Sequence, residues 1–183
     1  VSLASRLMIA MYPPGKPSFK LDIPPEVRMK SGEMSVSSDV TQGLVLSEHL
    51  IQSEIERKQW RRATNQAIQY LLVTGNSLEL MQPDNTIRVF RLDQYCVSRD
   101  QQGVVKEIIT EEYLSPEALP EKAQALVSAD DFSQNNVPLY THVKIAKDGE
   151  GYDVYQEING AKVTDSQGNY KVLPYNALRY STV

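Results

Sequence analysis

Residues 44–74 read LVLSEHLIQSEIERKQWRRATNQAIQYLLVT and contain neither proline nor glycine. Ser47 followed by Glu48 suits a helix N-cap, and Gly75 with Asn76 suits the end of a helix. The stretch therefore predicts one helix of about 28–30 residues, much longer than the usual length of about 11–12. It divides the chain, because the pattern changes from helical to alternating after it.

The apolar residues of this helix form two stripes. The first half carries a stripe made of Leu44, Ile51 and Ile55. The second half carries a stripe on a different side, made of Trp60, Ala63, Ala67, Tyr70 and Leu71. A helix whose apolar side changes midway either kinks or packs on different neighbours at its two ends. Of the two, we expect different neighbours.

Alternating polar and apolar residues, separated by turn signals, follow the helix. They predict three hairpins, formed by residues 77–81 with 86–90, 93–99 with 104–110, and 139–146 with 152–158. Asn159-Gly160 signals a further hairpin, and residues 170–173 are predicted as the last strand. Ser115 as N-cap and Pro116 at the first helical position predict a short helix near 115–127.

The segment before the long helix is simpler. Residues 2–11 have the pattern of a short amphipathic helix, which Pro13 ends. Residues 12–43 are predicted as loop, with a possible short strand at 19–23. The fold class is therefore α+β, with a helical part at 1–76 and mainly antiparallel hairpins or a meander at 77–183. Because the chain begins at Val1 rather than at methionine, we expect one domain-sized fragment of a longer protein.

Composition excludes several classes of protein. The net charge of -4 is not that of a dedicated nucleic-acid binder, which needs a basic surface. Cys96 is the only cysteine, so neither an intramolecular disulfide nor a thiolate metal cluster can form. We expect it to be a small buried hydrophobe in a strand. The apolar runs are too short to span a bilayer, so no membrane contact is predicted.

Candidate catalytic and metal-binding residues do not cluster in the sequence. His49 and His142 have no acidic or cysteine partner at ligand spacing, whereas a metal site needs three or four converging ligands. The acidic pairs Glu111-Glu112 and Asp130-Asp131 consist of neighbours, which in a strand point to opposite faces. We therefore predict no catalytic, metal or cofactor site and expect a non-enzymatic protein, with a hydrolase using Glu111 and Glu112 as the least favoured reading.

One basic cluster lies on the long helix and consists of Arg57, Lys58, Arg61 and Arg62. The favoured interpretation is a solvated helix face that pairs with Glu54 or with a neighbouring subunit. The alternative is a contact with DNA phosphates, which would position a nucleic acid without reading its sequence. On that alternative the chain is a nucleic-acid-binding module.

Four short motifs stand along the chain in a characteristic order. They are LASRL at 3–7 followed by Pro13-Pro14, LLVTGN at 71–76, FRLDQYCVSRD at 90–100, and LPYNALRY at 173–180. None of them is catalytic. Their order and spacing resemble the head-to-tail connector (portal) family of short-tailed bacteriophages, the podoviruses, over residues 1–113 and 170–180.

The resemblance implies a ring of identical subunits, typically a dodecamer, at one capsid vertex. Double-stranded DNA would pass through its channel, driven by a separate terminase, and tail adaptor proteins and the major capsid protein would contact the ring. The chain would form mainly the outer, wing-like part, with the stem, clip and crown helices lying beyond it. The protein would be made in the bacterial cytoplasm, from a phage or a prophage, and end in the virion.

Overall fold

The computed structural model describes residues 2–13, 17–25, 38–127, 136–147 and 149–180. The chain divides into two compact units. The helical unit comprises Val1–Gln69 with Pro83–Ile87, and the sheet unit comprises Tyr70–Gln82 with Arg88–Val183. Helices at the front and antiparallel sheets behind confirm the predicted α+β class.

Within the described residues, three helices with given bounds precede the first strand. They are α1 (Ser2–Met11), α2 (Ser38–Arg57) and α3 (Trp60–Thr74). The bounds of α1 are as predicted, and Gly75, with a positive φ of 75°, ends α3 as predicted. Its N–H donates to the carbonyl of Leu71 at 2.9 Å, the bond that closes a helix on a left-handed residue.

The prediction of one continuous helix over 44–74 was wrong, because the helix breaks at Lys58 and Gln59. Gln59 takes a left-handed conformation with φ of 55°. Its N–H donates to Glu56 O at 3.1 Å, and the N–H of Arg62 then donates to Gln59 O at 3.0 Å to start the next helix. Of the two alternatives for a helix whose apolar side changes midway, the structure shows the kink, not the expected continuous helix with different neighbours. Neither proline nor glycine lies at this kink.

Two further helical predictions need correction. Helix α2 begins at Ser38, nine residues before the predicted cap at Ser47, and Gly43 lies inside it. On α3 the buried residues are Thr64, Ala67 and Ile68, so only Ala67 of the predicted second stripe is fully buried. The prediction of a possible strand at 19–23 was wrong, since these residues have no regular secondary structure.

The strands are β1 (Asn76–Met81), β2 (Ile87–Phe90), β3 (Tyr95–Arg99), β4 (Val105–Leu114), β5 (Val137–Ile145), β6 (Tyr152–Ile158), β7 (Ala161–Lys162), β8 (Gly168–Tyr170) and β9 (Tyr175–Arg179). Within the described residues they form two sheets. One has the order β2-β1-β9, and the other has the order β3-β4-β5-β6-β7 with β8 paired to β6. The three predicted hairpins and the Asn159-Gly160 hairpin are all present, the latter with φ of 52° and 77° at its two turn residues.

The end of the chain differs from the prediction. The strand expected at 170–173 is β8, which ends at Tyr170, and the last strand is β9. Strand β9 pairs antiparallel with β1, from Asn76 opposite Arg179 to Leu80 opposite Tyr175. The helix expected near 115–127 is a 3-10 turn at Pro116–Ala118 followed by the short α4 (Glu121–Gln124), because Pro120 holds Leu119 extended between them.

Two apolar clusters hold the sheet unit together. The larger joins the two sheets and contains eight partly buried apolar residues besides its five buried ones, which are Leu78, Phe90, Ile108, Val143 and Tyr175. The other lies at the α4 end and contains Leu119, Ala123, Val137, Leu139, Ile158 and Val163. Cys96 belongs to neither and is exposed, so the prediction that it is buried was wrong. Strand β4 contributes to both clusters, through Ile108 to the larger and through Leu114 to the other.

No helix in the described ranges is long and apolar enough to cross a bilayer.

Candidate functional site

Helix α2 exposes large apolar side chains on one side. Leu46 and Leu50 are one helical turn apart, so they share a face, and they are 62% and 61% exposed. Ile51, about 100° from Leu50 around the helix, is 42% exposed and lies outside this face. We call Leu46 and Leu50 the outer face of α2. Apolar side chains that a monomer leaves together in water are typical of a surface that a partner covers.

The inner side of α2 is anchored within the helical unit. Ile55 and Glu48 are the buried residues of this helix. The carboxylate of Glu48 accepts a hydrogen bond of 2.7 Å from the N–H of Leu21, so the burial of this polar group is compensated. Helix α2 is therefore held from its inner side, and its outer leucines are not needed for that attachment.

An ion pair borders the outer face. Glu54 and Arg57 follow Leu46 and Leu50 along the same helical row, and the guanidinium donates to both carboxylate oxygens at 2.8 and 2.6 Å. These hydrogen bonds hold the pKa of Glu54 below its usual value and raise that of Arg57. An apolar centre with a charged border is the usual anatomy of a protein–protein interface.

The structure divides the predicted basic cluster instead of presenting it as one surface. Arg57 pairs with Glu54, as the favoured interpretation predicted. Lys58 lies close enough to Asp84 to contribute to the lowered pKa of that carboxyl, which is due first to hydrogen bonds from Thr86. The break after α2 separates these two residues from the pair on α3.

The α3 half of the cluster differs in its contacts. Arg61 donates to the carbonyl of Pro13 at 3.3 Å and so ties the end of α1 to α3, whereas Arg62 is exposed. Trp60 donates from its indole N–H to Asn85 O at 2.7 Å, which attaches the start of α3 to the β1–β2 turn. Two of the four cations therefore face carboxylates and a third binds a backbone carbonyl.

The two candidate catalytic carboxylates on β4 have different partners. On β4, Glu111 accepts hydrogen bonds from the hydroxyls of Tyr113 and Tyr140, whereas Glu112 pairs with Arg88. His49 is exposed, and His142 stacks on Tyr155 with ring centroids 4.5 Å apart.

Among the described residues, no group of three or more histidine, cysteine, aspartate or glutamate side chains could hold a metal ion. The pair Asp130-Asp131 lies outside the described residues.

Sequence reasoning missed the outer face of α2. It selected Leu44, Ile51 and Ile55 as the stripe, although only Ile55 of these is fully buried. The signal that could have found the face is the pair Leu46 and Leu50, four positions apart and separated in angle from the buried side.

The comparison with known proteins identifies the family. A model of the family described as bacteriophage head to tail connecting protein matches residues 1–183. The chain belongs to this family. Connector proteins of this kind are structural and non-enzymatic. The resemblance drawn from four motifs is thus confirmed, and the match also covers residues 114–169, where no motif had been assigned.

Three curated relatives from this family are similar to the chain, and all three are named portal proteins. The chain is 30% identical to that of Enterobacteria phage T3 over 190 residues, covering 100% of the chain and 35% of the relative. It is 30% identical to that of Escherichia phage T7, covering 97% and 35%, and 28% identical to that of Pseudomonas phage phiKMV, covering 88% and 33%. The chain thus spans about a third of the length of these relatives.

Proposed function

We propose that the chain is part of a subunit of a phage portal, a ring of identical subunits that connects the capsid to the tail. The observation that carries this proposal is the end-to-end match to the connector family, supported by three relatives named portal proteins. The ring would surround a channel through which DNA is packaged and ejected. Terminase, tail adaptor proteins and the major capsid protein would be its partners, and the virion its location.

Within that protein, the chain would form the outer, wing-like part, with the stem, clip and crown helices in the rest of the polypeptide. A large apolar cluster joins the two sheets of the sheet unit, which suits a rigid peripheral element. The helical unit supplies the outer face of α2, with two leucines about 60% exposed.

The outer face of α2 would contact the next subunit of the ring. In a closed ring each subunit meets the next through two different surfaces, so this face needs no copy of itself opposite. Its apolar centre and its Glu54–Arg57 border fit such a contact.

We propose that Arg62 also contacts the next subunit and not DNA. The basic cluster to which it belongs is divided by the helix break and partly neutralised by Glu54 and Asp84. Retention of DNA fragments at low salt should be the same for Arg62→Glu and the unchanged protein. A large loss of retention would favour phosphate contact instead.

The experiment that tests the function is the assembly state of the full-length protein that contains this chain. Electron microscopy of negatively stained particles should show rings, and light scattering should give the mass of a multimer of defined size. A full-length protein that stays strictly monomeric at high concentration would refute the proposal.

A further inference from the structure

A cleft of about 460 Å³ opens in the sheet unit between the edges of its two sheets. On one side lies β3, the outermost strand of the six-stranded sheet, and on the other lies β9, the outermost strand of the three-stranded sheet. Cys96, Val97 and Leu178 are among the residues that line it. The cleft therefore lies between two strand edges.

Both strands lie at an edge of their sheet. Strand β3 pairs only with β4, and β9 pairs only with β1, among the residues that the structure describes. On their other side, neither strand has a strand partner among the described residues, and the carbonyl of Ala177 accepts a hydrogen bond from the Arg99 side chain. An unpaired edge of this kind is a template for the addition of an extended chain.

Two side-chain hydroxyls of the cleft also lack partners. Ser77 Oγ and Tyr95 OH are buried and form no hydrogen bond within the described part of the chain. Ser77 is only 1% exposed, and burial raises the pKa of Tyr95, which keeps the phenol able to donate. Buried hydroxyls without partners are costly, which points to a ligand that supplies polar groups along the cleft.

The charge of the cleft is opposite to that of the unit around it. Arg99 reaches from β3 to the carbonyl of Ala177 on β9 at 2.8 Å and to that of Gly103 at 3.0 Å, and Arg179 is exposed. Neither arginine has an ion pair with a described residue, and no carboxylate lines the cleft. The sheet unit as a whole contains ten lysine and arginine residues against fifteen aspartate and glutamate residues.

We propose that this cleft receives an extended acidic segment from the neighbouring copy of the same protein, which adds as a strand between β3 and β9. The proposal rests on the ring proposed above. The segment would pair its backbone with the two open edges, accept hydrogen bonds from Ser77 and Tyr95, and take the guanidinium of Arg99 away from Ala177 O. A strand in this place would join the two sheets into one hydrogen-bonded surface.

Charge favours a second copy over an unrelated partner as the source of this segment. A neighbouring sheet unit carries an excess of acidic residues, so the arginine-lined cleft attracts it, whereas the remaining surface repels it. A ring also brings the same neighbour to every subunit at a fixed orientation, so a weak edge contact is used in each copy.

The single cysteine of the chain provides the test, because Cys96 is exposed in the isolated chain and lines the cleft. The rate at which a maleimide labels Cys96 is measured by peptide mass spectrometry, in the isolated full-length subunit and in the assembled ring. Thr164→Cys serves as the reference thiol, since Thr164 is exposed and follows β7, at the opposite edge of the sheet. Assembly should slow labelling of Cys96 by at least about tenfold and leave the reference thiol unchanged.

A second variant tests the role of charge. In the ring, Arg179→Glu should return the labelling rate of Cys96 towards that of the isolated subunit, whereas Arg179→Lys should not. Both substitutions are at an exposed residue, so the fold should tolerate them.

The other outcomes count against the proposal in distinguishable ways. Rings in which Cys96 is labelled as fast as in the isolated subunit would overturn the strand addition and leave the proposed portal function intact. Slow labelling already in the isolated subunit would show that another part of the same chain fills the cleft. Failure of the full-length protein to assemble would refute the ring and, with it, a neighbouring copy as the occupant.

Discussion

Replacing the two leucines of the outer face of α2 should weaken assembly of the proposed ring without unfolding the subunit. Leu46 and Leu50 are 62% and 61% exposed in the chain, so most of their surface is free to be covered by a neighbour. Burying a whole leucine side chain contributes about 1.5–3 kcal/mol, so covering the exposed part contributes about 1–2 kcal/mol for each. The pair should therefore contribute about 2–4 kcal/mol to each subunit contact.

The double variant Leu46→Gln/Leu50→Gln removes this contribution while keeping similar volumes. The association constant for subunits should fall by about 30- to 700-fold, since each tenfold change corresponds to about 1.4 kcal/mol. Sedimentation velocity of the full-length protein over a concentration series measures the shift directly. Thermal unfolding of the variant should be nearly unchanged, because exposed apolar residues contribute little to the fold of a monomer.

Val45→Gln is the matched control. Val45 is 46% exposed on the same helix but about 100° away from Leu46, outside the outer face. If the double variant assembles at the same concentration as Val45→Gln, the outer face is not a subunit contact and the reasoning fails. If both variants unfold at lower temperature than the unchanged protein, exposure on α2 has been misjudged.

Three further predictions concern the sheet unit of the 183-residue chain. Phe90→Ala should lower the free energy of unfolding, measured in urea, by about 3–5 kcal/mol, because Phe90 is 1% exposed in the larger cluster. Leu92→Ala, at a half-exposed site, should lower it far less. Equal effects of the two substitutions would contradict the assigned core. Burial raises the pKa of Tyr175 to about 12 from 10.0, so the unfolded chain loses this proton first and stability should fall by up to about 2.7 kcal/mol as the pH rises from 10 to 12. Urea titrations at several pH values should show that Tyr175→Phe lacks this fall in stability between pH 10 and 12. If the variant and the unchanged protein show the same dependence of stability on pH, Tyr175 is not buried as described. Gly151→Ala should destabilise more than Gly149→Ala, since both have positive φ but only at Gly151 would the new Cβ lie 2.5 Å from a backbone carbonyl; equal melting temperatures would refute the close contact.

Local signals in the sequence predicted most of the elements. The Asn159-Gly160 turn requires two residues with positive φ, and the sequence places there the two residue types that adopt it most readily. Gly75 ends α3 for the same reason. Such features depend on the residues themselves, so they could be read before any tertiary contact was known.

Features that depend on distant contacts could not be read in this way. The break at Gln59 has no proline or glycine to signal it, and the indole of Trp60 next to it is held by the carbonyl of Asn85, 25 residues further on. Cys96 was expected to be buried because free cysteine in a strand usually packs as a small hydrophobe, which does not show that β3 lies at a sheet edge. The cleft was missed for that reason as well, since β9 had not been recognised as the partner of β1.

The pairing of β1 with β9 has a consequence for the synthesis of the protein. Asn76 and Arg179 are partners, so roughly one hundred residues must be translated after β1 before its last neighbour exists. At a synthesis rate of about 5–20 residues per second, one edge of β1 waits for about 5–20 s on the ribosome with only β2 beside it. During this interval nascent chains on one messenger present a strand edge to one another, and chaperones that cover it should raise the yield of folded chains.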